Sequence, residues 1–432
     1  MNKYNFETEI IKILKLNIQN HKEKALNKFL EFLKEKGTPI IESIHDDPDN
    51  SLVTIFYFAE EPTDNVLIIS SILPGLTNEN IEEHLLNRIG DTNLWYDTYK
   101  VRNDLKFAYH LFPNDSLLIE CTERSQNRRV DKFNKNKLTL NRPGMSEVNI
   151  SYVNMPNSDE NLWLEERNNI PKGTITKHEF ESSYFSKPRI VNVYKPFGYS
   201  NDSSPYGFIT LTDGHDYINI LRSEHVLNNL IADKKIPPIV AIFIDTIDNR
   251  REDLYCNDLF CSSVANEMIP WLRKKYNLSD DPQKSIICGL SLGGLTATYM
   301  GLKHSDVFGN VLCNSGSFWY NPIKSDEKKQ SQVAIEKQGA ELDCWMSSQI
   351  KLSSKLPLKF YMNVGVLENK ETMINNSVNV KNTLKSLDYH VDFEFFKSGH
   401  DYLSWGQTLA NGLISLIGYQ EDKEQYTEGS VS

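Results

Sequence analysis

The chain has 432 residues, 39% of them hydrophobic and 24% charged, a balance that excludes a disordered or fibrous protein and leaves length for two or perhaps three domains. Its formal charge of −11 excludes a surface built for nucleic acid, which needs a clustered basic excess. No stretch approaches the roughly 20 apolar residues of a membrane span, and the opening segment Met1 to Glu7 lacks the basic and then apolar pattern of a secretory leader.

A cytoplasmic protein with no membrane partner is therefore expected. The six cysteines, Cys121, Cys256, Cys261, Cys288, Cys313 and Cys344, form no CxxC pair and have no histidine at zinc-ligand spacing. They read as reduced thiols, with no resident metal or cofactor expected.

In chain order, Leu26, Phe29, Leu30 and Leu33 recur at helical spacing, and Gly37 with Pro39 supplies a stop, so an amphipathic helix is predicted to end near residue 36. Leu52 to Ala59, Val66 to Ile72, Trp95 to Val101 and Phe107 to Phe112 are short β-branched and aromatic runs between Pro, Gly, Asn and Asp breaks. They predict a small antiparallel β-sandwich, so that residues 1–165 form one domain. Trp95, Tyr96, Tyr99 and Tyr109 fit either its core or a ligand-facing surface, and the core is the commoner place for any one of them. This domain is expected to help form a substrate pocket without supplying a catalytic group. Between about residues 124 and 173 the composition turns polar, with Arg142-Pro143-Gly144 and Pro171-Lys172-Gly173 as breakers, and an inter-domain linker is placed there.

From residue 170 to 420 the pattern changes. Strand candidates at Ile190 to Tyr194, Phe208 to Thr212, Ile239 to Ile244, Ser285 to Cys288, Asn310 to Cys313, Leu358 to Asn363 and Val391 to Phe396 alternate with helical stretches such as Ser263 to Tyr276, Gly294 to Lys303 and Asn376 to Leu387. Such alternation predicts an α/β domain with a mainly parallel sheet covered on both faces. Residues 421–432 read as a polar tail.

The segment Ser285-Ile286-Ile287-Cys288-Gly289-Leu290-Ser291-Leu292-Gly293-Gly294-Leu295 runs from an apolar strand through G-x-S-x-G into a helix. That is the setting of a nucleophile elbow, where glycines on both sides permit a turn too tight for side chains. The bare pattern also fits a serine in a glycine-rich turn, but the strand and helix favour Ser291 as nucleophile. The N–H of Leu292, at the start of the helix, would face a developing oxyanion.

A hydroxyl needs a base, and this architecture places it after the last strand. His400, in Ser398-Gly399-His400-Asp401, has that position. His390 precedes the strand, and His304 lies at a helix end. The acid that orients the histidine should lie between nucleophile and base in chain order. Glu368, at the end of the strand pattern Lys359 to Leu367, is the first choice, with Glu371 and Asp388 as competitors.

Several ordered strings resemble one family: Ile244 to Asn257, Gly289 to Leu295, Phe308 to Trp319, Gly365 to Glu368, and Gly399-His400-Asp401 with Trp405. Together they are similar to the enterochelin (enterobactin) esterases, siderophore trilactone hydrolases of the esterase D-like α/β-hydrolase kind. Upstream, Leu94-Trp95-Tyr96 and Tyr109 to Pro113 look like the amino-terminal β-domain of those enzymes. The resemblance implies an α/β-hydrolase fold after a β-sandwich-type domain. It implies hydrolysis of a catecholate trilactone, usually as its ferric complex, inside the cell for iron release, so that any iron arrives with the substrate. It assigns Ser291, Glu368 and His400 to a triad and puts Arg250 and Trp405 at the substrate. Arg250 could equally pair with Asp253 or Glu252. A carboxylesterase, thioesterase or acyltransferase acting on another ester with the same residues, and a silent binding module, are the alternative readings.

Overall fold

The computed structural model describes residues 7–119, 121, 123–185, 187–322 and 344–419, so the tail expected at 421–432 lies outside the described residues. The chain forms two compact units: residues 1–160 with 364–374 and 395–404, and residues 161–363 with 375–394 and 405–432.

The first unit begins with helix Glu9–Lys36, kinked at His21, where φ is −149° and ψ is 71°. It ends as the spacing predicts, at Gly37, which takes φ 85° and returns its N–H to the Leu33 carbonyl. Eight strands follow, β1 Ile40–Ile44, β2 Asp47–Phe58, β3 Val66–Ser70, β4 Asn87–Arg88, β5 Leu94–Arg102, β6 Lys106–Pro113, β7 Lys137–Leu140 and β8 Val148–Asn154. They pair as two four-stranded sheets, β1-β2-β5-β4 and β3-β6-β8-β7. Period-two alternation decides what each face of the first sheet meets. Val53, Ile55, Trp95 and Tyr99 join Val66, Ile68, Phe107 and Leu111 of the second sheet in one core. Phe56, Leu94 and Tyr96 face the other way and pack on Ile11, Leu14, Phe29 and Leu33 of the helix.

Of the two places open to Trp95, Tyr96, Tyr99 and Tyr109, the structure gives all four the core, none more than 8% exposed, because the strands that carry them have apolar cover. The polar stretch after residue 124 is not simply a linker, since β7 and β8 lie within it and complete the second sheet. Its polar residues are structural. Asp131 is buried and accepts hydrogen bonds from the Tyr109 hydroxyl (2.9 Å) and the Thr38 hydroxyl (2.6 Å), while the Asn134 amide donates to Tyr109 Oη (2.9 Å) and to the Tyr152 carbonyl (3.0 Å).

The second unit is built on eight strands, β9 Thr174–Phe180, β10 Arg189–Lys195, β11 Gly207–Leu211, β12 Ile239–Ile244, β13 Ser285–Leu290, β14 Asn310–Asn314, β15 Lys359–Gly365 and β16 His390–Phe396. Their spatial order is β9-β10-β12-β11-β13-β14-β15-β16. β12, β11, β13, β14 and β15 run parallel, whereas β9 and β10 are antiparallel to their neighbours. β12, β13 and β14 are buried along their whole length, which is what a sheet covered on both faces requires. This is the α/β-hydrolase fold, with the elbow after its fifth strand. The helix expected from Ser263 to Tyr276 instead forms part of a run from Asp258 to Arg273 interrupted by a π-helical turn, Val264–Met268.

The buried hydroxyl of Tyr109 generates a prediction about stability. Tyr109→Phe takes a donor from a buried carboxylate and should cost about 1–3 kcal/mol, while Leu16→Ala, at an exposed helix position, should stay within about 0.5 kcal/mol. Chemical denaturation of the two variants beside wild type checks this, and equal midpoints would contradict it.

Candidate active site

The elbow is a place where the backbone nearly touches itself. A Cβ on Gly289 would stand 2.2 Å from the carbonyl carbon of Gly293, and one on Gly293 would stand 2.4 Å from Thr212 Oγ1. Only glycine fits at either position, which is the physical content of the G-x-S-x-G pattern. Between them Ser291 is held at φ 58°, ψ −118°, a region that a residue with a side chain occupies only when its surroundings enforce it. The enforcement is visible: Ser291 N–H donates to the Asn314 carbonyl (2.9 Å), and the N–H groups of Ser317 (3.0 Å) and Leu295 (3.1 Å) donate to the Ser291 carbonyl. Ser291 Oγ lies 3.3 Å from Ser317 Oγ. Leu292 opens helix Leu292–Lys303, so its N–H belongs to a first turn that has no intrahelical acceptor and carries the positive end of the dipole.

The candidate acid and base form a second cluster, and both lie in the first unit, whereas Ser291 lies in the second. Glu368 follows β15 and is 6% exposed. Its Oε1 accepts the Gly365 N–H (2.8 Å), and its Oε2 is 2.8 Å from His400 Nδ1. A carboxylate can only accept, so Nδ1 carries the proton of this bond, and in the neutral ring Nε2 then keeps the lone pair. The competitors are elsewhere: Glu371 and Asp388 are exposed, and Asp388 sits at φ 59° before β16. His390 faces Asp392 at 3.7 Å, and His304 caps the helix after the elbow.

The turn that carries Glu368 is stitched to the loop that carries His400. Val366 N–H donates to the Phe396 carbonyl (2.9 Å) and Leu367 N–H to the Ser398 carbonyl (3.1 Å). Asp401 Oδ1 receives the Leu403 N–H (3.0 Å) and the Ser398 hydroxyl (3.2 Å), and burial pushes its carboxyl up to about 7.

Arg250 faces Asp213, at the turn after β11. It donates from Nε and Nη2 to the two oxygens of Asp213, both at 2.8 Å, while Asp253 takes Arg189 at 2.9 Å. Asp213 also accepts the Thr246 hydroxyl (2.6 Å). It takes φ 55° in the loop after β11, and its Oδ2 would lie 3.4 Å from a Cβ on Gly293. Sequence reasoning missed Asp213, because no motif marks it and its importance comes from proximity to the elbow. Arg250 keeps 34% of its side chain exposed. Trp405, by contrast, is buried and donates its indole N–H to Ser315 Oγ (3.0 Å). The structure therefore places it in the wall behind the β14 turn, not on a surface that a ligand can touch.

Among the described residues no group of three His, Cys, Asp or Glu side chains could hold a metal ion, and all six cysteines are free thiols. The arrangement can perform nucleophilic acyl transfer by side chains and backbone N–H groups.

Two sets of variants test these assignments. Glu368→Gln should lower turnover of a short-chain aryl ester by at least about 10²-fold, since only an orienting carboxylate fixes the tautomer of His400. Glu371→Gln and Asp388→Asn should leave it unchanged, and a loss in either would transfer the role. Asp213→Asn should lower kcat about 10-fold by releasing the loop beside the elbow, and an unaltered kcat would show that the Arg250 pair is only surface structure.

Residues 182–416, more than half of the chain, match the model of the Esterase family, whose description reads "Putative esterase". The chain is 23% identical over 404 residues to the iron(III) enterobactin esterase of Dickeya dadantii, with 88% of this chain and 90% of that one covered. To the iron(III) enterobactin esterase of Escherichia coli K12 it is 25% identical over 360 residues, with 80% and 85% covered. In fold it is similar to the enterobactin esterase of Shigella flexneri crystallised in the presence of enterobactin, with a TM-score of 0.71, 20% identity, and 89% and 97% of the two chains covered. On the match that spans the elbow, the acid and the histidine, the chain belongs to the Esterase family.

Proposed function

We propose that this protein is a serine esterase that opens the ester bonds of a catecholate trilactone siderophore such as enterobactin, taken as its ferric complex in the cytoplasm so that iron can be released. Ser291 Oγ attacks the ester carbonyl while His400 Nε2 takes its proton, and Glu368 holds the imidazolium that forms. The oxyanion develops toward the Leu292 N–H and toward the loop Thr212 to Gly214, from which this fold commonly supplies a second N–H. His400 then returns the proton to the leaving alkoxide, and water, activated by the same nitrogen, releases the acid from Ser291. The residues need no resident cofactor for this, and iron enters as part of the substrate.

The observation that carries the substrate assignment is the extent of the likeness. The Dickeya dadantii and Escherichia coli K12 relatives named for enterobactin match 88% and 80% of this chain, more than the hydrolase unit alone contains. One observation favours a neutral ester instead. Arg250, the cation assigned to an anionic catecholate, already faces a carboxylate in Asp213, which lowers the positive field it can offer.

Incubation with the apo trilactone, the ferric trilactone and a short-chain aryl ester, followed by mass spectrometry of the products, separates these readings. Linear dihydroxybenzoyl-serine products that form with wild type and fall at least about 10³-fold with Ser291→Ala support siderophore hydrolysis. Cleavage of the aryl ester alone supports the neutral-ester reading, and inactivity on all three contradicts both.

A further inference from the structure

The loop that carries His400 is assembled against the amino-terminal β-strands. The N–H of Lys106, at the start of β6, donates to the Lys397 carbonyl at 2.9 Å. Gly399, immediately before His400, lies on Ser71, so that a Cβ added there would stand 2.6 Å from Ser71 Cβ and 2.9 Å from its Oγ. Val366 and Leu367, from the turn that carries Glu368, pack on the core shared by the two amino-terminal sheets. The side chain of Lys106 is buried, at 6% exposure, and faces the carboxylates of Asp159 and Asp401, which oppose the lowering of its pKa by burial. Lys397, on the same loop, reaches Asp104 (3.7 Å) and Asp159 (3.6 Å). Asp401 is faced in turn by Lys106, His400, Glu368 and the Ser398 hydroxyl.

We infer that Lys106 and Ser71 are positioning residues for ester hydrolysis, and that residues 1–160 form part of the catalytic apparatus by fixing the Lys397 to Asp401 loop and hence the ring of His400. This rests on the reading of Ser291, His400 and Glu368 given above. His400 has 36% of its side chain exposed, so the Glu368 bond holds one side of the ring and the backbone beneath it must supply the remaining precision. A displacement of about 1 Å at a catalytic group can cost of the order of 10²-fold in rate. The backbone bond from Lys106, the contact of Ser71 with Gly399 and the buried ammonium facing Asp401 are the parts that resist such a displacement. Removing the ammonium takes a buried cation away from Asp159 and Asp401, and the loop that carries His400 loses that tie to β6.

The test uses the full chain and the aryl ester. Lys106→Met, which keeps length and removes charge, and Gly399→Ala, which drives the loop off Ser71, should each lower kcat about 10-fold or more. KM should change less than about 3-fold, because the substrate surface is untouched. The low-field proton resonance of the His400 Nδ1–H bonded to Glu368 should broaden or shift in both. Ser71→Gly, added to Gly399→Ala, should restore kcat and the resonance, since the added methyl takes the place of the deleted Ser71 atoms and remakes the contact between loop and strand end. This rescue remains decisive should Lys106→Met fail to fold. Wild-type kcat in Lys106→Met and Gly399→Ala, lost kcat with an unchanged resonance, or no rescue by Ser71→Gly would each overturn the inference. If Ser291→Ala is inert in the same assay, any such failure leaves the triad reading standing. If Ser291→Ala or His400→Ala keeps wild-type turnover, the triad reading itself fails.

Discussion

A carboxylate that water barely reaches must be satisfied by hydrogen bonds or lose its charge, and Glu368 is in that position. Its two oxygens are divided between the Gly365 N–H, which closes the turn after β15, and Nδ1 of His400, which lies after β16. One residue therefore ties together the ends of two neighbouring strands and decides which imidazole nitrogen carries the proton. The rest of the site depends on that decision. A serine hydroxyl is a weak nucleophile until an unprotonated Nε2 can accept its proton, and the acceptor on Nδ1–H holds the neutral ring in the tautomer that leaves Nε2 open. Ser291 shows the same economy in the other unit, where a strained backbone is kept in place by the carbonyl of Asn314 and the N–H of Ser317.

The parts of this arrangement that were legible in the sequence are those where local chemistry leaves no alternative. Gly289 and Gly293 are readable because a side chain at either would collide with backbone or with Thr212. β12 and β13 are readable because strands covered on both faces must be apolar throughout. Glu368 could be narrowed only to three carboxylates, since sequence does not report burial, and burial is what separates it from Glu371 and Asp388. The strands β7 and β8 were not legible because β7 alternates between exposed and half-buried residues, and in β8 polar residues such as Asn149 and the buried Ser151 break the apolar run. β9 was missed for a related reason, being an edge strand exposed along most of its length. Asp213, Ser71 and Lys106 were out of reach altogether. Their meaning comes from neighbours far away in the chain, and none belongs to a local pattern.

Charge placement follows a similar logic. The protein is acidic overall, yet two of its buried carboxylates have specific cations, with Arg250 on Asp213 and Arg189 on Asp253. Removing one partner of such a pair is costly because the other is left buried without compensation. Arg250 therefore has a structural duty beside the elbow whatever further contact it makes with a substrate, and the two duties can be separated only by kinetics. Trp405 illustrates the opposite case. An aromatic residue five positions after His400 is part of the packing behind Ser315, so adjacency to a motif in sequence does not make a side chain a ligand contact.

The proposed activation of Ser291 by Glu368 and His400 can be measured by active-site labelling, without reference to any natural substrate. A phosphonofluoridate probe followed by peptide mapping in a mass spectrometer should place the adduct on the peptide that contains Ser291. The label should form rapidly in wild type, more slowly in Glu368→Gln, and hardly at all in His400→Ala. An adduct on a different residue, or equal labelling rates in all three proteins, would contradict it.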